Sequence, residues 1–160
     1  MKTKLFFQIL SLILLFLLAS CGSPESAPTS ISTATPDPAD QTILLVQGYV
    51  DAYHALDADT FMSYFADDAE YYDMAMKDYG VLTREALARG VHSSFIQEGF
   101  KVEINSYFVS RDGKYAALEG TYYKLNKYGR QVGMPTVIIL EIRDGRIIRE
   151  TDYYDSGPIK

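Results

Sequence analysis

Residues 49–73, YVDAYHALDADTFMSYFADDAEYYD, read as a helix, a tight link, a second helix and a strand that ends near an acid. Val46, Tyr49, Val50, Tyr53 and Leu56 recur at three- and four-residue spacing, which predicts a helix with one apolar, tyrosine-rich stripe. Asp57 and Asp59 break that period. Asp59 is placed to cap a short helix over Phe61 to Phe65, and Asp67-Asp68 to close it before Ala69 to Met76 extends. A unit of this kind packs two helices over the first strand of a curved sheet.

Toward the C-terminus, an irregular segment ending at Gly80 is followed by Thr83, a cap for a third helix with Glu85 in its first turn. Leu87, Val91 and Phe95 form that helix's apolar stripe, and Gly99 stops it. Four strand-like runs follow, Lys101 to Arg111, Lys114 to Lys127, Arg130 to Arg143 and Arg146 to Asp155, divided by D-G-K, K-Y-G-R and D-G-R turns. One early strand, three helices and a four-strand meander give an α+β domain with the helices on one face of a bent antiparallel sheet. In the third strand of the meander, Thr136, Ile138, Leu140 and Ile142 alternate with Val137, Ile139, Glu141 and Arg143. Both sets are apolar in mid-strand, so both sheet faces are expected to be covered. One meets the helices, and the other, through Val137 and Ile139, is open to a second copy of the chain or to the tail from Ser156 to Lys160.

Toward the N-terminus, Lys2 and Lys4 precede an apolar run from Leu5 to Leu18 broken only by Gln8 and Ser11, and Leu18-Ala19-Ser20-Cys21 follows at once. A basic start, a short apolar core and small residues before a cysteine are the parts of a secretory signal, here residues 1–20. The L-A-S-C ending resembles the bacterial lipobox, which implies that Cys21 becomes the lipidated first residue of the mature chain on the outer side of a membrane. Residues 21–39, rich in Ser, Thr, Pro and Ala, read as a disordered spacer whose coil dimensions reach roughly 20 to 25 Å. Residues 40–157 then form one domain, large enough to bury a core. Because Cys21 is the one cysteine, that core has no disulfide to support it. The chain carries a formal charge of -6, and loss of Lys2 and Lys4 with the signal leaves -8, so nucleic-acid binding is disfavoured.

The order of elements from about Asp40 to Asp155 resembles the nuclear transport factor 2-like superfamily, which includes ketosteroid isomerase and the SnoaL-like polyketide cyclases. The resemblance is carried at motif level by Y-V, D-A-D and F-A-D-D-A-E-Y-Y-D at the opening, and by D-G-R-I-I-R-E-T-D-Y-Y-D in the last hairpin. It implies a cone-shaped, curved antiparallel sheet with three helices packed on its concave face, a pocket between sheet and helices, and commonly a homodimer. It also places Asp73 at the general-base aspartate of the isomerases and Tyr49 at the tyrosine that donates to the enolate oxygen. The isomerases' third group, a protonated aspartate, falls at Ile138, which cannot donate.

With Ile148, Glu150, Asp152 and Tyr154 taken as the inward face of the last strand, the pocket gathers Asp73, Glu150 and Asp152 beside tyrosines. Asp152 joins Asp73 and Tyr49 as a candidate catalytic group, and Glu150, Tyr154, Ile138, Tyr53 and Phe65 are candidate substrate contacts. Clustered carboxyls in a cleft raise at least one pKa and prepare an acid/base pair. A bland reading stands beside each: Asp73 as a strand-ending turn acid, Tyr49 as a core tyrosine, Glu150 and Asp152 as partners of neighbouring arginines. His54 and His92 lack a spaced ligand partner, and no phosphate or dinucleotide fingerprint is present, so neither metal nor nucleotide cofactor is expected. The expected function is binding of a small, partly apolar molecule, with acid/base turnover of the isomerase, cyclase or hydratase kind or as a non-catalytic module.

Metabolic labelling with a fatty-acid analogue tests the anchor. Wild type is expected to take up the label and to lose it in Cys21→Ala; an unlabelled wild-type protein would remove the lipidation reading.

Overall fold

Asp37 opens the structured chain: its carboxylate accepts the Ala39 N–H at 2.9 Å, and Pro38 occupies the first turn, where a missing N–H costs nothing. The computed structural model describes residues 37–75 and 81–157; the signal and spacer up to residue 36, with Cys21, residues 76–80, with Met76 and Gly80, and residues 158–160 lie outside the described residues. Helix α1, Pro38–Ala55, thus begins two residues before the boundary expected at Asp40. Its stripe buries Val46, Tyr49 and Tyr53, with Val50 and Leu56 packed at the margin.

The link differs from the expectation in one cap. Leu56 takes a left-handed conformation (φ 54°), which sets Asp57 extended, and Asp57 rather than Asp59 accepts the Thr60 N–H at 3.0 Å to cap α2, Ala58–Ser63. Asp59 sits in the first turn, where its charge faces the positive end of the helix. Phe65 opens strand β1, Phe65–Asp73, instead of closing the helix, so Asp67 and Asp68 are strand residues. They occupy an irregular stretch of β1, and Asp68 accepts from Arg143 at 2.6 Å.

The remaining elements are β2 (Val81–Thr83), α3 (Arg84–Phe95), β3 (Lys101–Val109), β4 (Tyr115–Leu125), β5 (Gln131–Arg143) and β6 (Arg146–Tyr154). Thr83 caps α3 as expected, and Leu87, Val91 and Phe95 are its buried stripe. The sheet order is β2-β1-β6-β5-β4-β3. The meander is antiparallel, but β6 returns beside β1 and runs parallel to it, so the six-stranded sheet is mixed. The three-residue β2 on the outer edge of β1 was too short to carry a periodic signal.

Turn chemistry fixes the meander. Asp144 and Gly145 both have positive φ, the backbone of a tight D-G hairpin between β5 and β6. A Cβ on Gly120 would lie 2.3 Å from the Glu103 carbonyl oxygen, next to the irregularity at Ile104 and Ser106 in β3, so this close approach of β3 and β4 requires glycine. On β5, Met134, Thr136, Ile138, Leu140 and Ile142 face the helices and are buried, and they join the α1, α2 and α3 stripes in one core. The opposite face carries exposed Val137, Tyr153 and Phe108.

Candidate functional site

The parallel pairing of β1 with β6 sets Asp73 directly opposite Asp152 and Tyr71 opposite Glu150, while β5 sets Ile138 opposite Asp152. Strand periodicity then brings Tyr71 and Asp73 of β1, and Glu150 and Asp152 of β6, to the helix-covered face. On β6 this face does not continue to Ile148. A register shift between Glu141 and Ile142 turns Ile147 inward instead, fully buried, and leaves Ile148 beside the other end of the sheet.

Four tyrosine hydroxyls aim at the carboxyls. Tyr71 and Tyr122 both donate to Asp152 Oδ2 at 2.9 Å, Tyr49 donates to Glu150 Oε2 at 3.0 Å, and Tyr154 donates to Asp73 Oδ2 at 2.8 Å. Asp73 Oδ1 also accepts the Ala75 N–H at 2.9 Å, so the turn role and the site role coexist in one side chain. Asp152 Oδ1 is buried without an N–H or O–H donor among the described residues. The Glu150 carboxyl, two residues along the same strand face, is its acidic neighbour and interacts with it directly.

Burial pushes the Glu150 carboxyl well above the usual carboxylate range, and the neighbouring Asp152 charge pushes it further. Burial also raises Asp152, to about 7, against the hydrogen bonds from Tyr122 and Tyr71 that favour its charged form. Two phenol donors on Asp152 against one on Glu150 assign the shared proton to Glu150 and the charge to Asp152. The Tyr49, Tyr71 and Tyr122 hydroxyls are themselves held well above their ordinary value by burial, so they remain neutral donors.

These groups border a cavity of about 260 Å³. Asp73, Glu150, Asp152, Tyr154 and Tyr53, all expected site residues, line it. Tyr49, Ile138 and Phe65 do not: each is fully buried, and Tyr49 reaches the site through Glu150. Tyr49 thus stands behind the wall as a partner of Glu150, and Ile138 and Phe65 pack in the core beside it. Tyr71, Tyr122 and Lys124 also line the cavity and were missed. Tyr71 was legible two residues before Asp73, on the same strand face; Tyr122 becomes legible only from the β4–β5 register, which sets it opposite Met134. The apolar wall comes from Phe61 of α2, Leu87, Val91 and Phe95 of α3, and Phe100.

The histidines belong elsewhere. His54 Nε2 accepts the Ile104 N–H at 3.0 Å, and His92 stands 3.4 Å from Asp59 at the surface. Among the described residues no three His, Cys, Asp or Glu side chains are grouped to hold a metal ion.

A curved α+β cone with acids at its floor has known relatives, and the model of the SnoaL-like domain matches residues 46–150. The chain belongs to the SnoaL-like family. Solved structures share the cone at low identity, which speaks for the fold alone. A protein with a ketosteroid isomerase-like fold from Catenulispora acidiphila, in complex with trimethylamine, is 21% identical, with TM-score 0.61, over 72% of this chain and 88% of that one. A putative polyketide cyclase from Xanthomonas campestris is 19% identical, with TM-score 0.58, over 74% and 93%. TerC, co-crystallized with polyporic acid, is 18% identical, with TM-score 0.61, over 72% and 92%. Among curated proteins none matches this SnoaL-like chain.

The raised Asp152 carboxyl makes stability depend on pH. Its unfolded value is near 3.8 and its folded value about 7, so between those limits the native state holds a proton that the unfolded chain has released. Stability from this group is complete below about pH 4 and falls as pH rises to about 7. Thermal melts across pH 4 to 8 should show Asp152→Asn gaining on wild type with rising pH; parallel profiles would contradict the assignment.

Proposed function

We propose that this SnoaL-like domain binds a small, partly apolar molecule in its cone and exchanges a proton with it through Asp152, with Glu150 as the neighbouring proton store. The reading rests on one observation above the others: Asp152 lines the cavity as a buried carboxyl tied to two phenols and a second carboxyl. A carboxyl raised to about 7 is half-charged near neutrality, where a general acid/base is most effective. Tyr71, Tyr122 and Tyr154 are neutral donors within the same wall, able to turn from a carboxylate to a substrate oxygen that gains charge. Asp73 is the second candidate base, but both of its oxygens are already engaged, by the Ala75 N–H and by Tyr154.

Chemistry of this kind is proton transfer next to a carbonyl, as in isomerisation, cyclisation or hydration. Steroid-type isomerisation in particular is not favoured, because the resemblance puts the protonated oxyanion acid at or near Ile138, which cannot donate. The molecules held by two of the similar structures, trimethylamine and polyporic acid, support small-molecule binding in this fold without fixing the substrate. We place the domain outside a membrane, tethered through Cys21, on the strength of the L-A-S-C signal ending. One observation favours a second reading, a binding module without turnover: four tyrosine hydroxyls of the fold itself hold the acids in place.

Thermal-shift screening for ligands, then product analysis of each hit, separates the two. Asp152→Asn keeps shape but removes the proton acceptor, so turnover should fall by about two to four orders of magnitude while ligand affinity changes far less. Hits that wild type binds and never converts would sink the enzymatic reading and leave the binding one.

A further inference from the structure

Three carboxyls, Asp73, Glu150 and Asp152, line one cavity and each is buried, yet no Lys or Arg among the described residues forms an ion pair with any of them. The ion pairs among the described residues, His92 with Asp59, Lys101 with Glu103, Arg143 with Asp68, and Arg149 with Glu70 and Glu141, lie away from these acids on exposed or half-exposed side chains. Lys124 borders the cavity, but its Nζ lies over the Phe100 ring at 5.4 Å from the centroid. Phenol hydroxyls therefore provide the described neutralisation of these acids, and a phenol supplies a dipole where a cation would supply a charge.

The rest of the wall is mostly apolar and rich in aromatic rings. Tyr53 stacks on Phe95 with centroids 5.5 Å apart, Phe95 stacks on Phe100 at 5.8 Å, and Tyr122 meets Tyr154 edge-on at 5.6 Å, all beside the cavity. Ring faces carry partial negative charge and attract cations that shed water easily, above all alkylated ammonium groups. A hydrated metal ion suits this wall poorly, since among the described residues no group of acids, histidines or cysteines is set to hold one.

We infer that the molecule bound in the cone is a small organic cation, an alkylated ammonium, with its charged head against Asp73 and Asp152 and its alkyl groups against the aromatic part of the wall, Tyr53, Phe95 and Tyr122. This rests on the cone being a ligand site at all, and it specifies the ligand's charge, which the acid/base reading leaves open. The cation supplies the counter-charge that the buried carboxyls lack, and the aromatic wall replaces the weak hydration shell that an alkylated ammonium gives up.

Choline and 3,3-dimethylbutan-1-ol are probes of the same shape that differ in nitrogen against carbon, hence in charge. Calorimetric titration of the full chain with each should give choline at least about tenfold tighter in wild type. Asp152→Asn and, as an independent variant, Asp73→Asn should bring the two probes to within about twofold. Equal affinities in wild type, or tighter binding of the alcohol, would overturn the cationic ligand while leaving a ligand-binding cone in place. A preference for choline that survives in both variants would also overturn it, because the charge would then be read elsewhere. Binding of neither probe at a Kd of about 1 mM or better would overturn it and count against the ligand-binding reading as well.

Discussion

Burying Asp152 beside Glu150 sets two like charges in a place where water cannot separate them, and much of the site's geometry answers that constraint. Each unit by which a carboxyl rises costs the charged form about 1.4 kcal/mol. The fold meets this in two ways: one proton is shared by the pair, and neutral phenols from β1 and β4 donate to the remaining charge on Asp152 while one from α1 holds Glu150. A core that only needed packing would fill these positions with leucine. Retaining acids here at a cost in stability is the physical reason to look for function at this point and not elsewhere on the sheet.

The cluster exists because of long-range pairing. Parallel registration of β1 on β6 makes Asp73 and Asp152 neighbours, and antiparallel registration of β5 on β6 puts Ile138 on the other side. The helices close the space above: Phe61, Phe95 and Tyr53 pack ring against ring with centroids 4.7 to 5.5 Å apart, forming a wall that contributes to the core and to the cavity at once. Tyr49 links these roles. Its ring packs 4.8 Å from Phe61 while its hydroxyl holds Glu150, so the helix stripe that decides the fold also orients the proton store.

Much of this was legible locally. The meander's turns are written in D-G-K, K-Y-G-R and D-G-R, and its strands begin and end within two residues of the expected positions. The α3 cap and stripe follow from Thr83 and a period of three to four. What failed locally failed for physical reasons. Leu56 entered a left-handed conformation that no glycine announced, moving the cap to Asp57. Phe65 was claimed by pairing with Ile147, a partner 82 positions away, and the β5–β6 irregularity reversed the facing of Ile147 and Ile148. Of the site, the acids and Tyr154 could be gathered by alternation along single strands. Tyr122 could not, because its presence depends on register across the sheet, and the retreat of Tyr49 behind Glu150 depends on side-chain packing.

The central claim is that Glu150 and Asp152 share one proton at neutral pH. Carbon-13 NMR of the carboxyl groups in Asp- and Glu-labelled protein, with Asp152→Asn and Glu150→Gln to assign the signals, measures this directly. Asp152 should titrate with a midpoint near 7, and Glu150 with one raised well above the ordinary carboxylate range by burial and the neighbouring Asp152 charge. Midpoints for both in the ordinary range of about 3.5 to 4.5 would contradict the account.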